Sequence, residues 1–258
     1  MTDIETWRIS RQQSVAEDQG DLALVGLHTI DKPLQLEGIP GLWAPLPSGE
    51  PGLLLTASAE DGIIMNEVLI EGTVNIEAEV SIIRFSETVT AGATSQPGSP
   101  HLLAVWDTDA AAMKSYEGIS SFPYDERWVI EAEYLPSGDE RTVAFAHNSD
   151  QAGNLRIHQS PGDIRFVNED VTYVLSPFDS EGSLIVVFGD KTNGQETYGM
   201  GRMLLVSPNA DGTVKLDFNR AFLPPCAFSY HFNCPLPPAH NRLPFAVTAG
   251  EQQVINHE

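Results

Sequence analysis

Val74-Asn75-Ile76-Glu77-Ala78-Glu79-Val80-Ser81-Ile82 alternates apolar and polar side chains without a break. Period two marks a strand with one buried face and one wet face, because successive side chains on a pleated backbone point opposite ways. Shorter runs of strand character are read at 22–27, 101–106, 127–135, 141–147, 154–158, 164–168, 172–175, 183–189, 202–207, 213–219 and 244–248. Asp61-Gly62, Gly153-Asn154, Pro161-Gly162-Asp163, Asn193-Gly194 and Asp211-Gly212 punctuate them with turn chemistry. Many short strands at close spacing, with no βαβ rhythm, predict a mainly β protein built as an antiparallel sandwich or barrel.

Two stretches depart from that rhythm. Thr2-x-x-Glu5 has capping-box spacing, and Ile4, Trp7, Arg11 and Val15 recur near helical period, so residues 3–18 read as a short helix laid on a sheet by its Trp7 face. A second short helix is expected at 109–117, capped by Thr108 or Asp109, filled by an alanine run and stopped by Gly118. The charge-free run 91–100 is rich in breakers and reads as a seam. The expected organisation is an N-terminal helix (1–20), a smaller β-lobe (21–95) and a larger β-lobe (96–258) that carries the motif-rich segment 188–251, together one compact unit.

Composition narrows the partners. The 258 residues hold 36 acidic and 14 basic side chains, a formal charge of −22, and 41% hydrophobic residues support a real core. Nucleic acid and anionic membrane surfaces are excluded as main partners, since both need clustered Lys and Arg. The acidic excess fits either adaptation to high salt or an ordinary surface kept soluble by repulsion. It is unevenly spread: between Gly189 and Gly250 five basic residues face four acids, +1 in all, which leaves −23 elsewhere. The N-terminus has neither the basic nor the apolar region of a secretory signal, and no run approaches the ~18 apolar residues of a membrane span. With only two cysteines, Cys226 and Cys234, a cytoplasmic protein is expected.

Motifs for nucleotides, phosphates, hydrolase nucleophiles and zinc proteases are missing, so no cofactor is expected. Ser207-x-Asn209-x-Asp211-Gly212 mimics the start of a calcium loop, but Phe218 stands where the closing glutamate belongs, so it reads as a hairpin turn. Cys226, His231, Cys234 and His240 have no common zinc spacing, and five prolines dominate the segment; two packed thiols, a disulfide and a metal are weighed in that order. His158 lies in a strand candidate and needs no role beyond a half-buried surface.

The densest chemistry begins at Phe188-Gly-Asp190-Lys-Thr192-Asn-Gly194 and runs through Thr197-Tyr198-Gly-Met-Gly201-Arg202. It continues as Asp217-Phe-Asn219-Arg220 and Pro224-Pro-Cys226-Ala, and closes with Cys234-Pro-Leu-Pro-Pro, Asn241-Arg242-Leu and Ala249-Gly250-Glu251. These residues strongly resemble domain of unknown function family 1684, which is bacterial and archaeal. Upstream, Trp7-Arg8 with Arg11, the run 20–26 and Gly118-Ile-Ser-Ser-Phe-Pro-x-Asp125 are also similar to it. Leu223 stands where that family usually has Asn, and a glycine-rich turn is reduced to Glu37-Gly38-Ile39-Pro40-Gly41. The resemblance implies a mostly β fold and brings no activity.

Alternation puts Val214, Leu216 and Phe218 on one face of strand 213–219, and Lys215, Asp217 and Asn219 on the other. With Asp190, Thr192, Tyr198 and Arg202 from the preceding hairpin, these residues are expected to converge. Two readings stay open. In one, Asp190–Arg202 and Asp217–Arg220 are ion pairs locking turns, and the Tyr198 hydroxyl satisfies a loop carbonyl. In the other, Asp190, Tyr198 and Asp217 do acid–base chemistry while Thr192, Arg202, Asn219, Arg220, Cys226, Asn241 and Arg242 bind a ligand. Cys226 is also weighed as a nucleophile activated by His231 or Arg220. The expectation is a binding protein for a small polar or anionic metabolite, with a cofactor-independent hydrolase or lyase and a protein-interaction module as alternatives. No metal is expected, and a homodimer is allowed.

Overall fold

A computed structural model of the chain describes residues 2–47, 49–138, 140–180 and 183–257. The protein is mainly β, every named strand pairs antiparallel, and two short α-helices, Asp3–Ser14 and Ala111–Ser115, accompany the sheets. None of the sheets closes into a barrel among the described residues. No helix among them is long and apolar enough to cross a membrane. The chain divides into two compact units, Gln13–Ser115 and Met1–Gln12 with Tyr116–Glu258.

In Gln13–Ser115, a six-stranded sheet runs in the order Leu24–Thr29, Ser99–Asp107, Val89–Gln96, Ile82–Arg84, Ile64–Met65, Val68–Leu69. A four-stranded sheet, Leu34–Leu36, Ile39–Pro45, Gly52–Ala57, Gly72–Glu77, packs on it. Trp43, Leu53, Leu55 and Ile76 of the second sheet meet Ile83, Ala91, Leu103 and Val105 of the first in one core. This is the layered arrangement that two half-apolar sheets require.

The other unit has a four-stranded sheet in the order Val171–Leu175, Gly162–Asn168, Val129–Pro136, Thr213–Asp217, and a three-stranded one, Phe178–Ser180, Ser183–Phe188, Arg202–Val206. Ile164, Phe166, Leu216 and Phe218 pack with Leu184, Val186, Phe188 and Leu204. Two further ladders pair Tyr116–Ser121 with Glu251–Asn256, and Thr142–Phe145 with Arg156–Gln159. The capping box forms as read: the Thr2 amide donates to Glu5 Oε2 (2.7 Å) and the Glu5 amide to Thr2 Oγ1 (3.3 Å).

Several expectations change. The N-terminal helix stops at Ser14, not 18, and the second spans only 111–115. The run 74–82 is two strands: Gly72–Glu77 turns through Glu79 (φ +60°) into Ile82–Arg84, so Val80 and Ile82 are exposed and Ile83 is buried. One turn shifts the phase, and a one-residue shift swaps the faces of a strand. The run 91–100 is no loop seam: it belongs to the hairpin Val89–Gln96/Ser99–Asp107, whose turn is Pro97-Gly98. Residues 244–248 are irregular, because two of their backbone groups, the Val247 amide and carbonyl, bond to the side chains of Asp190 and Arg202 rather than to a strand. His158 is buried rather than half-exposed.

Candidate functional site

Arg202 opens its strand opposite Phe188, and both it and Asp190 are fully enclosed, with side chains 0% exposed. Its Nη2 donates to Asp190 Oδ2 (2.9 Å) and to the Val247 carbonyl (2.8 Å). Nη1 donates to the Glu251 carbonyl (3.1 Å) and to the Ala249 carbonyl. The guanidinium lies 5.4 Å from the centroid of the Phe188 ring. Burial pulls the Arg202 pKa down, and Asp190 opposes that pull. The approach is tight. At Gly201 (φ +100°) a methyl group would sit 2.6 Å from the Phe188 carbonyl oxygen.

Asp190 is used on both oxygens. Its Oδ1 accepts from the Thr192 amide (2.8 Å), the Thr192 hydroxyl (2.6 Å) and the Val247 amide (3.2 Å). Thr192 Oγ1 and Thr197 Oγ1 are 2.8 Å apart, and Asn193 Nδ2 donates to Thr197 Oγ1 (3.0 Å) and the Tyr198 carbonyl (3.1 Å). The Tyr198 hydroxyl donates to the Cys226 carbonyl (2.9 Å), and burial, then a side-chain hydrogen bond to Cys226, pushes its pKa up.

Asp217 belongs to a second group. The strand ends there, two residues short of the expected 219, and Phe218–Arg220 turn as a 3-10 helix because Asp217 Oδ1 accepts from the Asn219 amide (3.1 Å). Asn219 is thereby turned inward. It accepts from the Asp125 amide (2.9 Å) and donates to the Asp125 carbonyl (3.0 Å). Asn241, also fully buried, accepts from the Ser176 amide (2.9 Å) and donates to the carbonyls of Ser176 (3.0 Å) and Val187 (2.8 Å). Arg242 is exposed beside Gly189. Cys226 and Cys234 are buried thiols, the Cys226 amide 3.3 Å from Cys234 Sγ. The Asp190–Arg202 group and the Asp217–Asn219–Arg220 group share no hydrogen bond or ion pair among the described residues. Strand 213–217 pairs with Val129–Pro136, not with the strand that Arg202 opens.

An open cleft of 590 Å³ lies where the first two turns of the N-terminal helix meet the edge strand Thr213–Asp217. Ile4, Tyr124 and Val129 supply apolar wall, Arg8, Lys215 and Arg220 the cations, and Asp3, Glu5 and Asp217 the acids. Arg220 is paired with Asp3, and its Nε lies 3.5 Å from Asp217 Oδ2, with the Trp7 ring 5.9 Å away. Among the described residues Arg8 donates only to the Phe122 carbonyl (2.7 Å), and its Nε is buried without a partner. Neither Arg8 nor Lys215 has an acidic partner among the described residues. Sequence reasoning named Asp217 and Arg220 but passed over Arg8 and Lys215. The helical period that places Ile4 and Arg8 on one face, and the alternation that places Lys215 beside Asp217, were the available signals.

No three metal-ligating side chains converge among the described residues, and the Cys226/His231/Cys234/His240 set does not assemble. The sequence profile of a protein family of unknown function, DUF1684, matches residues 114–252. The chain belongs to the DUF1684 family. The matched region carries the Arg202–Asp190 lattice, the Asp217 turn and both cysteines, while Arg8 and its helix lie outside it. The DUF1684 chain is also similar to an uncharacterized protein of Haloarcula marismortui solved by NMR, at 34% identity over 53% of this chain and 76% of that one, with a TM-score of 0.43. No curated protein matches.

Proposed function

We propose that the protein binds a small polar metabolite with an anionic group in the cleft between the N-terminal helix and strand Thr213–Asp217. One observation carries the reading: in a chain of charge −22, two cations without acidic partners, Arg8 and Lys215, line the same open cleft. Arg220, shared between Asp3 and Asp217, is positioned as a third. Three acids line the cleft as well, but Asp3 and Asp217 are engaged by Arg220 and Glu5 by the Thr2 amide, which leaves Arg8 and Lys215 to favour a negative ligand group. Binding is favoured over acid–base catalysis because, of Asp190, Tyr198 and Asp217, only Asp217 lines the cleft.

Thermal unfolding against a panel of phosphorylated and carboxylated metabolites tests this. A ligand at about 100 times its Kd adds ~2.7 kcal/mol, which raises the midpoint of a chain this size by roughly 5–10 °C. Lys215→Gln, which puts no new carboxylate opposite Glu131, is expected to shrink that rise while leaving the unliganded midpoint close to wild type. An equal rise in wild type and Lys215→Gln, or no rise with any anion, overturns the proposal.

A further inference from the structure

Cys226 and Cys234 are eight positions apart in a segment framed by Pro224, Pro225, Pro235, Pro237 and Pro238. The chain folds back so that the Cys226 amide donates to Cys234 Sγ over 3.3 Å. That brings the second sulfur to the residue that bears the first. Prolines hold φ near one value, which narrows the conformations of both flanks. Hydrogen bonds anchor both ends of the segment elsewhere: the Cys234 amide donates to Asn148 Oδ1 (2.6 Å) and the Cys226 carbonyl accepts from Tyr198. Both cysteines add to the rise in the Tyr198 pKa, after burial and a side-chain hydrogen bond to Cys226.

We propose that Cys226 and Cys234 are a redox pair that closes to a disulfide by exchange with a small-molecule disulfide. An amide pointed at sulfur stabilises a thiolate more than a thiol, so Cys234 is the attacking group. Cys234 loses its proton, and the thiolate attacks one sulfur of the oxidant; the oxidant's S–S bond breaks and the first small thiol leaves. The Cys226 thiolate then attacks Cys234 Sγ in the mixed disulfide, forms the internal S–S bond and expels the second small thiol. Two protein thiols lose two electrons and two protons, and one small disulfide becomes two thiols. The bond ties the segment between the Asn148 and Tyr198 anchors, next to the loop that holds Asp190 and Thr192.

The folded wild-type protein is incubated with oxidised glutathione, then denatured, alkylated with iodoacetamide and weighed. The expected product takes up no alkyl group and is lighter than the reduced protein by two hydrogens, while Cys226→Ser retains one glutathione on Cys234. The oxidised wild type is expected to unfold several degrees higher, since a short closed loop constrains the unfolded chain. Two alkylated thiols after oxidant treatment, a stable glutathione adduct on the wild type, or a disulfide between chains overturns the proposal. The wild-type mass alone decides it if the variant does not fold.

Discussion

Arg202 pairs with Asp190 where water does not reach, and removing one partner of such a pair leaves a naked charge in the core. Arg202→Met is therefore expected to lower stability by about 3–5 kcal/mol in urea unfolding. A loss under about 1 kcal/mol, the scale of an exposed pair, would place the structural weight elsewhere. The histidines make a second residue-scale case. His147 Nδ1 lies 2.8 Å from the Asn233 carbonyl, so it carries the proton; His147 Nε2 then accepts from His158 Nε2 at 3.0 Å. Burial lowers both pKa values, that of His158 to about 4, with Arg156 adding to the effect and Asp150 opposing it at His147. Because the folded values lie below the unfolded one, the unfolded chain binds more protons in acid. For His158 the stabilisation is whole above about pH 6.5 and is lost as pH falls towards 4, by up to ~1.4 kcal/mol per pH unit, and His147 contributes with the same sign. Midpoints measured from pH 7 to 4 are expected to fall more steeply for wild type than for His158→Gln, which keeps a donor but no titrating ring.

At the scale of elements, the ends of strands and helices decide where side chains finish. Asp217 caps the turn Phe218–Arg220, and that turn leaves Asp217 and Arg220 on the cleft while Asn219 is drawn inside. The next close approach is at Gly250 (φ +79°), where a methyl group would lie 2.6 Å from the Ala221 carbonyl oxygen and 2.7 Å from that of Phe218. Gly250→Ala thus meets both backbone strain and a clash, and a loss of roughly 1–3 kcal/mol or more is expected in denaturant titrations. A neutral outcome would mean the 218–221 turn yields easily. The pairing Val129–Asp217 matters in the same way, because it sets strand 213–217 at a sheet edge, where Lys215 reaches open space.

For the whole molecule, a charge of −22 is a repulsive term that salt screens. The Debye length falls from about 30 Å at 0.01 M to about 8 Å at 0.15 M, so the unfolding midpoint is expected to rise over that range. Anion binding in the cleft is expected to weaken over the same range, since salt screens its cations too. The opposite signs separate surface repulsion from ligand attraction, and calorimetry with and without ligand reads both. A midpoint that falls with salt would show that paired charges outweigh the acidic excess.

Alternation and turn chemistry were legible in the chain itself: the mainly β class, the capped N-terminal helix and most strands from 101 to 217 follow from local periodicity and local breakers. For Asp190 with Arg202 and for the Tyr198 hydroxyl the chain left a structural and a functional reading open; the contacts named in the first, an ion pair and a bond to a loop carbonyl, are present. Phase was not legible across Ala78–Ser81, where a turn carries the same residue types as a strand. Nor was pairing. Two polar groups read as converging are separated because strand 213–217 chooses the strand from 129 over the one from 202, and that choice rests on side-chain packing between distant segments. Arg8 and Lys215 share a cleft for the same reason. They are 207 positions apart in the chain, and only the tertiary fold brings the first turns of a helix to the edge of a sheet.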